Sequence, residues 1–142
     1  MAAEVSCAKV IYKVAPRVTD AELNTLFAAA WAAYEVRAFG RVLERALSYI
    51  CAYDENRLIG FVNVAWDGGV HGFILDTTVH PDYRRRGIGA RLVEKAVKVA
   101  KARGLTWLHV DYEAGLEPFY TERGFHPTEA GLMNLKEVAG GL

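Results

Sequence analysis

An α/β fold, a single-domain mixed β-sheet with helices on both faces, is what this sequence predicts, on three observations. Short strand-like runs alternate with amphipathic helical ones in the order β-α-α-β-β-β-α-β-α-β. Two breaks, Asp54-Glu55-Asn56 and Asp67-Gly68-Gly69, are short turn sequences that tie three strands into an antiparallel meander. A long helix then separates the third of these strands from a fourth, and such a crossover returns the chain parallel to the strand before it. One domain over 1–142 suits the length, because 142 residues, 52% of them hydrophobic, can bury a sizeable core undivided.

Each element has its own warrant. KVIYKVA (9–15) has strand character. Thr19 and Glu22 are spaced as a capping box, with Val18 placed to staple Leu23, and Leu23, Leu26, Phe27, Ala30 and Trp31 recur at helical spacing. A second, short helix is predicted from Arg41 to Ser48 after Gly40. The meander strands are YICAY, RLIGFVNVAW and VHGFILDTTV. The next helix turns Leu92, Val93, Ala96, Val97 and Ala100 inward and Arg91, Glu94, Lys95, Lys98 and Lys101 outward, and Gly104 ends it. LTWLHVDY reads as a buried strand, a short helix with Pro118 in its first turn runs to Gly124, and GLMNLK (131–136) reads as a last strand.

Composition excludes several classes of function. Seventeen Lys and Arg balance seventeen Asp and Glu, so there is no overall attraction to nucleic acid or to anionic lipid. No apolar run is long enough to span a bilayer, and MAAEVSCAKVIYKV lacks the layout of a secretory signal, which makes the cytoplasm the expected location. Cys7 and Cys51 form no disulfide framework or CxxC motif, and the four histidines show no metal-ligand spacing, so no metal is expected.

Chemistry concentrates in two stretches. In VHPDYRRRGIG, three arginines and two glycines lead from a strand into a helix. Gly87 and Gly89 remove the Cβ atoms that would keep a ligand away, and the free amides and dipole of a helix start favour an anion. A dinucleotide fingerprint or a P-loop fits less well, since neither a third glycine at the required spacing nor a Gly-Lys-Ser/Thr follows. In EPFYTERGF (117–125), Tyr120 offers a phenol that stays protonated at neutral pH and can donate to a leaving thiolate. Packing of a short helix by Phe119 and Tyr120 is the plainer alternative for that stretch.

Arg84-x-x-Gly87-x-Gly89 at a strand-to-helix loop, Tyr120 ahead of Gly124-Phe125, and the order of elements resemble the GNAT superfamily of acyl-CoA-dependent N-acyltransferases, over nearly the whole chain. The resemblance implies that acetyl-CoA is the cosubstrate. Its pyrophosphate would lie on the amides of Arg84, Arg85, Arg86, Gly87, Ile88, Gly89 and Ala90, and its pantetheine arm would pair with the strand at Thr77 and Val79. It implies that the Thr77 amide polarises the acetyl carbonyl and that Tyr120 is the general acid. A neutral amine would attack the thioester directly. Many members carry a Glu or His base on the strand before the loop, where this chain has Phe73 and Leu75. Asp76 stands beside them, but strand alternation turns it to the other face. The substitute bases are His109, Asp111 and Glu113, and Glu113 also stands where many members have an Asn on the pantetheine arm.

The expected acceptor is a small-molecule amine, with a protein lysine or N-terminal amine as the rival. A pocket from Trp31, Tyr34, Phe39 and Trp66, with Glu35, would suit a cationic or ring-bearing amine. The missing strand carboxylate keeps open a third reading, a CoA-binding sensor without turnover. Neither nucleic acid nor membrane is an expected partner, and the resemblance admits a homodimer.

Overall fold

The computed structural model describes residues 9–137. The chain forms two compact units, one ending at Val110 and the other beginning at Asp111. The first unit holds a five-stranded sheet in the order β1 (Val10–Val14), β2 (Ser48–Asp54), β3 (Arg57–Trp66), β4 (His71–Val79) and β5 (Trp107–His109). Strands β1 to β4 are antiparallel neighbours and β5 joins β4 in parallel, so the sheet is mixed as expected. Both hairpin turns follow their sequences. Glu55 adopts a φ of 53° in the first, while Gly68 (φ 82°) turns the second and the Asp67 carboxylate accepts the amides of Gly69 and His71.

Helices cover both faces. The capping box at Thr19 and Glu22 is formed, and it opens α1 (Asp20–Ala30). Leu23, Leu26 and Phe27 of α1 are buried with Phe39, Cys51, Tyr53, Leu58 and Phe61 in one cluster. Phe61 therefore marks the α1 face of β3, and by alternation Asn63 shares that face while Gly60 and Val62 point to the other. On that other face lies α3 (Ile88–Ala102), which buries Ile88, Leu92, Val93, Ala96 and Ala100. Gly60 allows its close approach: a Cβ there would stand 3.0 Å from Leu92 Cδ1, 3.2 Å from Ala52 Cβ and 3.3 Å from Ile88 Cγ2.

Between the two covering helices, α2 spans Gly40–Arg45, so Ser48 belongs to β2 instead of to a helix. The loop before α2 is tied down by one side chain. Asn24 donates to the carbonyls of Asp20 and Arg37 and accepts from the Arg37 amide at 3.0 Å, while Tyr34 donates its hydroxyl to the same amide oxygen. Trp31 does not continue the apolar stripe of α1. It caps the helix end in an extended conformation, half exposed, and its indole N–H donates to Thr78 Oγ1 at 3.1 Å.

Two further elements differ from expectation. The fourth predicted strand shrinks to the three residues of β5, and its ends are exposed rather than buried, because it pairs only with His71–Phe73. The last predicted strand, 131–136, is absent. Asn134 instead closes a local turn, its side-chain oxygen taking the Lys136 amide and its carbonyl the Glu137 amide. Such local bonds compete with ladder formation. The second unit comprises a 3-10 turn (Ala114–Leu116), α4 (Glu117–Thr121) with Pro118 in its first turn, and the segment beyond Gly124 (φ 98°). Cys7 lies outside the described residues.

Candidate active site

The first component of the site is a defect in a strand. Along β4, Phe61 faces Thr78 but Asn63 faces Leu75, so Asp76 and Thr77 together oppose the single residue Val62. This is a β-bulge, and Asp76 takes a left-handed conformation (φ 57°), as the first residue of one class of bulge does. Beyond Phe73, β5 no longer accompanies β4. His80 donates its amide to the Ile59 carbonyl at 2.8 Å, so by ladder alternation the amide of Thr78 faces β3 and those of Thr77 and Val79 face the unaccompanied edge. That edge can accept an extended chain by strand addition. The Thr77 hydroxyl is itself buried without a hydrogen-bond partner.

The bulge also corrects the alternation argument for Asp76. Its carboxylate reaches Arg37 Nη2 at 3.4 Å, and the Arg37 guanidinium lies over the rings of Phe27 and Phe39 on the α1 side. One inserted residue resets the strand's parity, so the carboxylate comes to the face that regular alternation denies it.

The loop after β4 supplies the second component. A 3-10 turn (Pro81–Tyr83) leads to Arg84, Arg85 takes a φ of 64°, and Gly87 (φ 77°) starts α3 with no side-chain cap. The first amide bonded back into the helix is that of Arg91, to the Gly87 carbonyl at 3.1 Å, which leaves those of Ile88, Gly89 and Ala90 to an outside acceptor. A Cβ at Gly87 would meet nothing within 4 Å, so only its positive φ calls for glycine. The three arginines divide their roles. Arg84 donates to the Ala30 carbonyl at the end of α1, Arg86 stacks on Tyr83 with Nη1 buried and unpartnered, and Arg85 is exposed. Beneath them Tyr83 donates to the Asp54 carboxylate, and that bond raises its phenol above the ordinary value.

Of the remaining predicted residues, Tyr120 and Asp111 belong to the second unit. Tyr120 is buried on α4, stacked on Tyr112 at 5.0 Å and edge-on to Phe119 and Phe125. Asp111 and Glu113 are exposed. The predicted aromatic pocket is only partly formed: Phe39 is core, Tyr34 packs beside it, and Glu35 is exposed. Trp66, opposite Gly72, lies on the α3 face. On the α1 face of β4, Phe73 and Leu75 stay partly exposed. His109 stacks on Phe73 with ring centroids 4.7 Å apart, and its Nε2 lies 2.9 Å from His71 Nδ1. Sequence reading reached His109 but missed its partner, because only the parallel register of β4 and β5 brings His71 beside it. Among the described residues no group of three His, Cys, Asp or Glu side chains converges as metal ligands would.

Comparison with known proteins identifies the family. Residues 16–125 match the model of the acetyltransferase (GNAT) family. An uncharacterized N-acetyltransferase, ycf52-like, of Prochlorococcus marinus is 24% identical over 99 residues, which cover 67% of this chain and 55% of that protein. The chain thus spans about half the length of this curated relative. Among solved structures, the Staphylococcus aureus protein SA2161, described as a probable acetyltransferase, aligns with a TM-score of 0.72 at 26% identity over 88% of this chain and 98% of that one. The enzyme AAC(6')-Iy, in complex with a bisubstrate analogue joining CoA to an acetylneamine, shares the fold at a TM-score of 0.71 and 16% identity, over 92% of this chain and 99% of that one. With a bulged β4, an open strand edge beyond it and a capless helix start after an arginine-glycine loop, the chain belongs to the GNAT acetyltransferase family.

Proposed function

We propose that the protein is an acetyl-CoA-dependent N-acetyltransferase acting on the primary amine of a small molecule. The observation that carries this reading is the continuity of two binding surfaces, the open edge of β4 at Thr77 and Val79 and the unpartnered first turn of α3. The first suits an amide-bearing arm, the second a pyrophosphate. Two orphaned polar groups, Thr77 Oγ1 and Arg86 Nη1, fit a polar ligand in this region. Support also comes from the shared fold of AAC(6')-Iy, whose bound analogue links CoA to an amine.

In this reading a neutral amine attacks the thioester carbonyl carbon. The Thr77 amide donates to the carbonyl oxygen as negative charge builds there, an effect of a fixed dipole that needs no reorganisation. The C–N bond forms, the C–S bond breaks, and Tyr120 supplies the proton that leaves with the sulfur as free coenzyme A. A rival reading, acetyl-CoA binding without turnover, draws on Phe73 and Leu75, apolar side chains on the face of β4 that would need a base.

Thiol release tests both. With acetyl-CoA and a panel of small amines and lysine peptides, release on at least one small amine is expected, and Tyr120→Phe should lower kcat while leaving coenzyme affinity unchanged. Release only on peptides would transfer the acceptor to protein, and binding with no release on any acceptor would favour the sensor.

A further inference from the structure

This inference rests on the N-acetyltransferase reading and names its proton acceptor. An amine that attacks a thioester must lose a proton, and neither Phe73 nor Leu75 can take it. Asp76 is engaged by Arg37. On the same α1 face of the sheet, two imidazoles meet at the point where β4 and β5 part company. His71 opens β4 and His109 ends β5, in a register that sets Phe73 opposite His109. Their ring nitrogens, His71 Nδ1 and His109 Nε2, are 2.9 Å apart, with ring centroids at 5.1 Å. Phe73 lies nearly flat on His109, at 19°. His109 is thus fixed by a ring on one side and a hydrogen bond on the other, at the last rung before the edge that leads to Thr77.

A contact of this kind holds one hydrogen between two rings, one donating and the other accepting. When His109 donates from Nε2 to His71 Nδ1, its own Nδ1 keeps a lone pair, and that nitrogen has no partner among the described residues. A proton arriving at His109 Nδ1 turns the bond between the rings into a charge-assisted one, which is stronger than its neutral form.

We propose that His109 is the catalytic base of the acetyl transfer and that His71 is its positioning partner, accepting from His109 Nε2 and so fixing the tautomer that leaves Nδ1 basic. Four residue steps along the strand lead from Phe73 to Thr77, roughly 13 Å at the usual rise, so the proton reaches His109 along a chain of several waters. The step balances: the amine nitrogen bonds to the acetyl carbon, the thioester C–S bond breaks, the amine proton goes to His109, and the sulfur takes a proton from the general acid.

The test compares thiol release by the wild type, His109→Ala, His71→Ala and His71→Asn, with acetyl-CoA binding measured on each. His109→Ala should lose on the order of 100-fold or more in kcat, the usual worth of a general base, with acetyl-CoA binding unchanged. Added imidazole should restore part of that loss. His71→Ala should lose less, and His71→Asn, whose side-chain oxygen can accept the same N–H, should recover most of it. Wild-type turnover in His109→Ala, or a loss that imidazole does not touch and that tracks weaker coenzyme binding, would overturn the proposal and leave the pair as a clasp between β4 and β5. A wild-type protein that releases thiol on no amine would instead overturn the enzyme reading, and this proposal with it.

Discussion

Gly87 is the residue on which the proposed anion site turns, because its φ of 77° starts α3 with the amides of the first turn left open. Nothing crowds its missing Cβ, so Gly87→Ala should cost only the left-handed strain, about 1–2 kcal/mol in denaturant unfolding, together with weaker acetyl-CoA binding. Unchanged binding in that variant would detach the loop from the coenzyme. His80 governs the same loop by charge. Its Nδ1 accepts the Asp82 amide at 3.1 Å and its Nε2 lies 2.9 Å from Arg57 Nη2, so the neutral ring is the one that fits. Burial first, then the charges of Arg57 and Arg84, lower its pKa below the ordinary 6.5. The unfolded chain therefore takes up this proton at a higher pH than the folded one. The stability that neutral His80 contributes is complete above 6.5 and is lost as the pH falls from there through the lowered value. The stability difference between wild type and His80→Gln should shrink across that window, as read by denaturant unfolding at stepped pH. At this scale the glycine-marked turn into α3 was legible in the sequence, since it depends on local order. The pairing of His71 with His109 was not, since it depends on register between strands joined by a whole helix.

Elements were predicted well wherever one face was buried against a partner. The capping box and the apolar positions of α1 and α3 came through, and β3 runs over the residues RLIGFVNVAW as read. What escaped prediction was irregularity. The bulge at Asp76 and Thr77 leaves no mark in hydrophobic periodicity, yet it sets the aim of Asp76, while the edge of β4 is open beyond Phe73 because β5 ends there. At 131–136 the strand-like sequence lost to a turn around Asn134. Contact between β3 and α3 is close at Gly60, where β3 lets the first two turns of α3 approach through Ile88 and Leu92. Gly60→Ala should cost about 1–3 kcal/mol by overpacking against three groups at once. Since Ile88 is also the first residue of α3, the same variant should weaken acetyl-CoA binding, whereas a neutral result in both would mean that the helix shifts freely.

For the whole molecule, the balanced charge of seventeen cationic and seventeen anionic side chains leaves recognition to local geometry. Cys51 reports on the integrity of that geometry. It is fully buried between α1 and the sheet, and burial pushes its thiol up to about 12. In a Cys7→Ser background its alkylation should therefore be suppressed in the native protein and rise only through the unfolding transition, and rapid native labelling would show that the α1 face opens locally. The mixed sheet with helices on both faces was legible as a whole from element order and turn chemistry, and the family followed from one loop and one tyrosine. The most direct measurement is isothermal titration of the purified protein with acetyl-CoA. Saturable one-to-one binding, weakened by Gly87→Ala, is the predicted result. The absence of binding by a folded protein would contradict the assignment of the β4 edge and the first turn of α3 to the coenzyme.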